Sequence, residues 1–270
     1  MQTFLMCEPT FFDVEYVINP WMEGNQGKVD KALAARQWNN LYEVLAQRAS
    51  IRLIPPVAGL PDMTFTANGG FVSRHREVIV SSFRHRERQP EALHFKRFFE
   101  EANYRIVPIG KGLEFEGAGD ALFDISGQVW MASGFRSNKA VESEIASALD
   151  VVTRGLTLVD PRWYHLDTAF CPLSHGEVIV YANAFSADSV AMIRHAFRDQ
   201  AIWISDEDAN NFACNAINVG DDVILHRASG ALTGALREKG YHVIEVDVSE
   251  FMKSGGACKC LTLDLQDRRS

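Results

Sequence analysis

The chain has 270 residues, 47% of them hydrophobic, enough to bury a sizeable core in one large domain or two small ones. A formal net charge of −8, with the 27 basic residues scattered, excludes the basic face or stripe that a nucleic-acid binder needs. No apolar run approaches a membrane span and the start, Met1-Gln2-Thr3-Phe4, lacks signal-peptide regions, while five cysteines without zinc-ligand spacing predict free thiols in a reducing cytoplasm.

The first strand-like run is Thr3 to Cys7. Asn19 to Gly27, rich in glycine and asparagine, is a candidate lid. Four stretches then share one plan: a first strand, a polar turn, and a second strand on a Val/Ile run. They span 65–80, 119–131, 167–180 and 212–225, with second strands starting at Val78, Val129, Val178 and Val223. The turns Ser126-Gly127, His175-Gly176 and Gly220-Asp221 are hairpin signals. Helical patterns follow at Pro90 to Ala102, Ala140 to Leu149, Ser186 to Phe197 and Ser229 to Lys239, most with a short strand after them.

Each unit reads β-β-α-β, and a period near fifty residues predicts radial or stacked repetition. The competing reading is an ordinary α/β sandwich. A fifth unit would be shared by the termini, Thr3 to Cys7 and Lys259 to Leu265, closing the ring. The whole chain, 1–270, then forms one catalytic domain. No linker divides it.

In such a ring the first strands converge, so residues distant in sequence meet at one pocket. Asn68, Asp120, His165, Asp167 and Cys260 all fall in or beside a first strand. A cysteine and a histidine brought together support covalent catalysis, the thiolate attacking an electrophilic carbon while the imidazole moves protons. Glu116, Asp120 and Asp167 are costly to bury together unless a cation sits among them, and a planar guanidinium or amidinium fits best. Cys258 and Cys260 lie two apart on a strand-like run and would share one face, so spacing does not choose between them. His165 and Asp167 alone make no metal-ligand set.

Together these motifs resemble the guanidine-modifying enzymes of the pentein superfamily, five-fold pseudosymmetric α/β propellers that include arginine deiminases, dimethylarginine dimethylaminohydrolases, amidinotransferases and arginine dihydrolases. The resemblance runs from about Cys7 to Leu265. It implies Cys260, in Cys260-Leu-Thr262, as nucleophile, with Cys258 second. It implies His165 as general acid/base, Glu116 as guanidinium holder and proton-transfer aid, and Asp167 and Asn68 as further guanidinium contacts. Asp120 closes the Glu-Gly-Ala-Gly-Asp motif and counts as substrate-binding. By the same resemblance Asp62 meets the substrate's α-amino group, and Arg84 and Arg136 its carboxylate. Asn68 stands where deiminases carry aspartate, and with Asn19 it resembles the arginine dihydrolase branch. That branch implies conversion of free L-arginine to ornithine, ammonia and CO2 without metal or organic cofactor. Dimethylarginine hydrolysis or plain deimination to citrulline is the alternative, and a non-catalytic binding protein a third reading. The expected partner is a small molecule, with no nucleic acid or membrane; the sequence leaves homo-oligomerisation open.

Overall fold

The structure, a computed structural model, describes residues 1–266. It opens with β1 (Thr3–Cys7), α1 (Lys31–Ala46) and β2 (Ser50–Ile54). Three units follow: β3 (Gly70–Val72), β4 (Glu77–Val80), α2 (Glu91–Glu101) and β5 (Arg105–Ile106); β6 (Ala121–Phe123), β7 (Val129–Ser133), α3 (Val141–Leu149) and β8 (Thr153–Thr157); β9 (Phe170–Pro172), β10 (Val178–Val180), α4 (Ala187–Phe197) and β11 (Ala201–Trp203). The short α5 (Asp206–Asn210) leads into β12 (Ile217–Val219), β13 (Asp222–Leu225), α6 (Gly230–Glu238) and β14 (His242–Glu245). Last come α7 (Ser249–Met252) and β15 (Leu263–Asp264).

The strands make five three-stranded sheets under one rule. In each, the middle strand pairs antiparallel with its hairpin partner and parallel with the strand beyond a helix. A parallel neighbour needs such a crossover, whereas an antiparallel one needs only a tight turn. The fifth sheet takes its first strand, β15, from the carboxyl end and its middle strand, β1, from the amino end, with Leu5 opposite Leu263. The architecture is a five-fold α/β propeller of ββαβ units.

The middle strands are continuous apolar runs because both faces are covered: Val78, Ile79, Val178–Val180 and Val223–Leu225 have no exposed surface. Helices lie over them by an apolar stripe, as where Phe95 and Phe99 of α2 pack one turn apart with Val72 and Val78. Besides the short α5 and α7, the helix absent from the sequence expectations is α1. It buries Ala34, Trp38, Leu41 and Leu45 at helical spacing and starts at Asp30, whose side chain accepts from the Leu33 N–H. No helix among the described residues is long and apolar enough to cross a membrane.

Two expectations need correction. The first strands are shorter than predicted, and the polar residues precede them on 3-10 turns, Thr66–Gly69, Gly117–Gly119 and Leu166–Thr168. The run from Gly255 to Thr262, expected to lead into the last strand as strand itself, is likewise not a strand. Its chain turns through Leu261 N–H to Ala257 O at 3.3 Å and Thr262 N–H to Lys259 O at 3.0 Å. A turn removes the period-two relation of Cys258 and Cys260. They face different surroundings.

Candidate active site

The turns that open the first strands bring their polar side chains to one end of the ring. Close approach there depends on Gly119, where an added Cβ would stand 2.3 Å from Asn68 Nδ2 and 3.3 Å from the His165 ring. A cavity of about 10 Å³ remains, lined by Asn19, Asp62, Asn68, Arg88, Arg136, Tyr164 and Cys260 among others. That is room for about one water molecule.

Cys260 borders this cavity, 2% exposed. Its Sγ lies 3.1 Å from Asn215 Nδ2 and 3.5 Å from Asp167 Oδ2. Burial pushes the thiol well above its usual range, and Asp167 adds to this. Burial also lifts the Asp167 carboxyl, to about 7. Its other oxygen, Oδ1, is fully buried and has no hydrogen-bond partner among the described residues. A buried acceptor left bare beside a cysteine is expensive in a native structure and needs a donor from elsewhere. Cys258 is fully buried and does not line the cavity, and burial raises its thiol.

Glu116 and His165 form the second group. His165 Nε2 is 2.8 Å from Glu116 Oε2, and both side chains are buried. Burial lowers the imidazole to about 4, so it is neutral at pH 7. Glu116 is held far below the usual carboxylate range despite burial, because Arg136 and His165 surround it. Arg136 Nη1 donates to Glu116 Oε2 at 2.8 Å, Nη2 donates to Ile18 O at 3.1 Å, and the guanidinium lies 4.4 Å over the Tyr164 ring.

The remaining expected residues divide. Asp62 lines the cavity, accepting from Tyr16 Oη at 2.8 Å and Ser254 Oγ at 3.1 Å. Asn19 lines it too, accepting from the Trp21 and Met22 amides and donating to Ser254 O at 3.1 Å. Asn68 lines it with Oδ1 taken by Arg88 Nη1 at 2.8 Å. Arginine offers only donors, so the Asn68 amide nitrogen must point the other way. Asp120 is outside the lining. It accepts from Ser137 Oγ at 2.6 Å and from the Leu166 amide at 3.1 Å, bracing the Glu116 and His165 turns. Arg84 is also outside, its side chain 46% exposed with Nη1 3.7 Å from Glu114. The expected cationic wall is built by Arg88 instead, buried and forked onto Glu91 at 2.9 and 2.8 Å.

Arg88, Asn215 and Tyr164 were not singled out by the sequence. Asn215 carried a signal: it stands two residues before β12, as Asn68 stands two before β3. Arg84, Arg86 and Arg88 alternate along one segment, and nothing in their pattern selects one. A larger cavity, about 520 Å³, lies farther along the same first strands, lined by Phe71, Ala121, Phe170, Ile217 and Lys259 among others. His165, Glu116 and Asp167 line neither cavity, but Cys260 borders the small one together with Arg136, whose guanidinium donates to Glu116, so the small cavity is the candidate site.

Comparison with known proteins agrees with the fold. The family model for N,N-dimethylarginine dimethylhydrolase, eukaryotic type, matches residues 15–266. The chain belongs to this family of guanidine-modifying pentein enzymes. Among its relatives, the bifunctional arginine dihydrolase/ornithine cyclodeaminase AgrE of Nostoc sp. strain PCC 7120 is 46% identical over 96% of this chain and 37% of its own length. The chain thus spans little more than a third of that relative. The N(G),N(G)-dimethylarginine dimethylaminohydrolase of Mycobacterium tuberculosis is 38% identical over 97% of this chain and 85% of its own. A solved structure of the N-terminal domain of ArgZ, a cyanobacterial arginine dihydrolase, as a cysteine-to-serine mutant bound to substrate, superposes with a TM-score of 0.97 at 44% identity, covering 98% of both chains.

Proposed function

We propose that residues 1–270 form one catalytic domain that hydrolyses the guanidinium of free L-arginine through a covalent cysteine thiouronium, giving ornithine, two ammonia and CO2. The carrying observation is the bare, buried Oδ1 of Asp167 beside Cys260 Sγ. A carboxylate this close to a nucleophile gives a planar cation its counter-charge. Similarity to AgrE and to the ArgZ domain supports arginine as substrate. The M. tuberculosis relative supports dimethylarginine hydrolysis as the second reading. A cytoplasmic location fits the five free cysteines.

The chemistry follows from the charges. In the free protein Cys260 is a thiol and His165 is neutral. The arriving guanidinium favours the thiolate, and the thiol proton passes to His165. Sulfur attacks the guanidino carbon, and His165 returns the proton to the departing ammonia. Water, deprotonated by His165, adds to the thiouronium, and the C–S bond breaks to give citrulline. A second attack on the ureido carbon expels the second ammonia. Water then cleaves the thiocarbamate, and the freed carbamate loses CO2 to leave ornithine.

Asp167 and Glu116 hold the cationic nitrogens, and Glu116 exchanges Arg136 for substrate as the cavity opens. Asp62 receives the α-ammonium, and Arg88 with Arg136 receives the carboxylate. Asn68, its nitrogen turned from Arg88, donates to the ureido oxygen and so retains the neutral intermediate that a carboxylate would hold poorly.

Incubation with arginine, citrulline and dimethylarginine, with amino-acid analysis and ammonia counting, tests this. Ornithine with two ammonia per arginine is expected; citrulline as the end product refutes the dihydrolase. Cys260→Ser is expected to abolish turnover and Cys258→Ser to keep most of it, and the reverse would move the nucleophile.

A further inference from the structure

Asn215 occupies, in its own unit, the slot that Asn68 fills in another, yet it does not line the cavity and meets Cys260, which does. Its Oδ1 accepts the backbone N–H groups of Ala257 at 3.1 Å and Cys260 at 3.0 Å. Both partners only donate, so the amide cannot be flipped. Its Nδ2 therefore faces Cys260 Sγ at 3.1 Å and Asp167 O at 3.0 Å. The Asn215 backbone carbonyl also accepts from Lys259 N–H at 3.1 Å. One buried residue thus fixes the turn that carries Cys260, the turn that carries Asp167, and the sulfur itself.

We propose that Asn215 is the positioning residue of the nucleophile: its oxygen sets the Cys260 turn and its nitrogen gives the thiolate a fixed hydrogen-bond donor. The inference rests on Cys260 being the nucleophile. A donor held against sulfur is worth most when the sulfur is charged and water is excluded. The other groups around the thiol pull both ways. Asp167 disfavours the thiolate from the turn before β9, and Tyr164 sits across the cavity. Lys259 adjoins in sequence, and Arg88, Arg136 and Asp62 line the same cavity. Only Asn215 combines neutrality with direct donation to Sγ among the described hydrogen bonds.

Asn215→Asp separates this role from scaffolding, because it keeps the acceptor for both backbone N–H groups and replaces the donor by a carboxylate. A scaffold role predicts near-native kcat; the positioning role predicts a fall of 100-fold or more, with KM changed less than threefold. Asn215→Ala is expected to lose about 10- to 100-fold in kcat. The second readout is the pH dependence of iodoacetamide alkylation without substrate, the modified cysteine identified by mass spectrometry. In both variants the Cys260 alkylation midpoint is expected to rise by about one pH unit or more. A wild-type midpoint in either folded variant, or Asn215→Asp keeping over half of kcat, overturns the proposal. Turnover surviving in Cys260→Ser would instead overturn the nucleophile assignment beneath it.

Discussion

Arg84 and Arg88 are one helical turn apart in number and equally basic, and their surroundings separate them. Arg88 is enclosed by Glu91, Asn68 and the Asp62 carbonyl, whereas Arg84 reaches outward to Glu114. Replacing Arg84 by alanine is expected to change kcat/KM for arginine less than threefold, since an exposed ion pair contributes little. Arg88→Ala is expected to lower it at least 100-fold and to lower the melting temperature, because Glu91 is left buried without its partner. Steady-state kinetics on both variants decide; a larger loss at Arg84 would return that residue to the site. Asp167 gives a pH-dependent case. Its native pKa of about 7 exceeds the unfolded value near 3.8, so the folded state holds the proton longer and stability falls as pH rises through this interval. Asp167→Asn is expected to be inactive yet more stable than the parent at pH 8, by on the order of a few kcal/mol, and nearly equal below pH 4. Melting curves at the two pH values check this, and a variant less stable at pH 8 would contradict it. The exchange of stability for a carboxylate is what a functional site entails.

At the scale of elements, chemistry sits where each chain segment turns into its first strand. The sequence made the units legible because Val/Ile middle strands and glycine turns recur at a regular period. It hid the 3-10 turns, since a three-residue strand with a turn before it shows the same alternation as a longer strand. It also hid Arg88, whose burial depends on Glu91 and Asn68 meeting it in three dimensions. The helix α1 is legible in the helical spacing of Ala34, Trp38, Leu41 and Leu45, although it lies outside the hairpin period. Backbones of neighbouring turns press together at Gly117, which has φ of +60° and whose Cβ would lie 2.7 Å from Gly70 O. Gly117→Ala is expected to cost about 2–3 kcal/mol and at least tenfold in kcat, by urea unfolding and kinetics. A variant within 0.5 kcal/mol of the parent on the order-of-magnitude scale of ordinary surface changes would show that the turns can part freely.

For the whole molecule, ring closure makes a single site out of five unlike turns. Asn68, Asp120, Asp167, Asn215 and Cys260 stand one to three residues before their respective strands. The backbone repeats and some residue types recur, but Asn68 meets Arg88 where Asn215 meets Cys260, and Asp120 meets Ser137 where Asp167 meets Cys260. Over the site lies the segment with Ile18, Asn19 and Met22, pinned by Asn19 Nδ2 to Ser254 O and by Trp21 Nε1 to Arg162 O at 2.7 Å. Asn19→Ala is expected to release citrulline as a measurable side product during arginine turnover. An unchanged product ratio would show that this pin does not govern retention.

The 10 Å³ cavity gives that prediction its meaning. On the proposed function, arginine needs more room than this cavity offers, so its mouth would have to part before substrate binds. Two hydrolyses on one substrate would then be a race between the second attack and reopening. A dihydrolase built this way would be processive on a single small molecule, as a polymerase is on its template. Its end product would be set by dwell time as much as by reactivity.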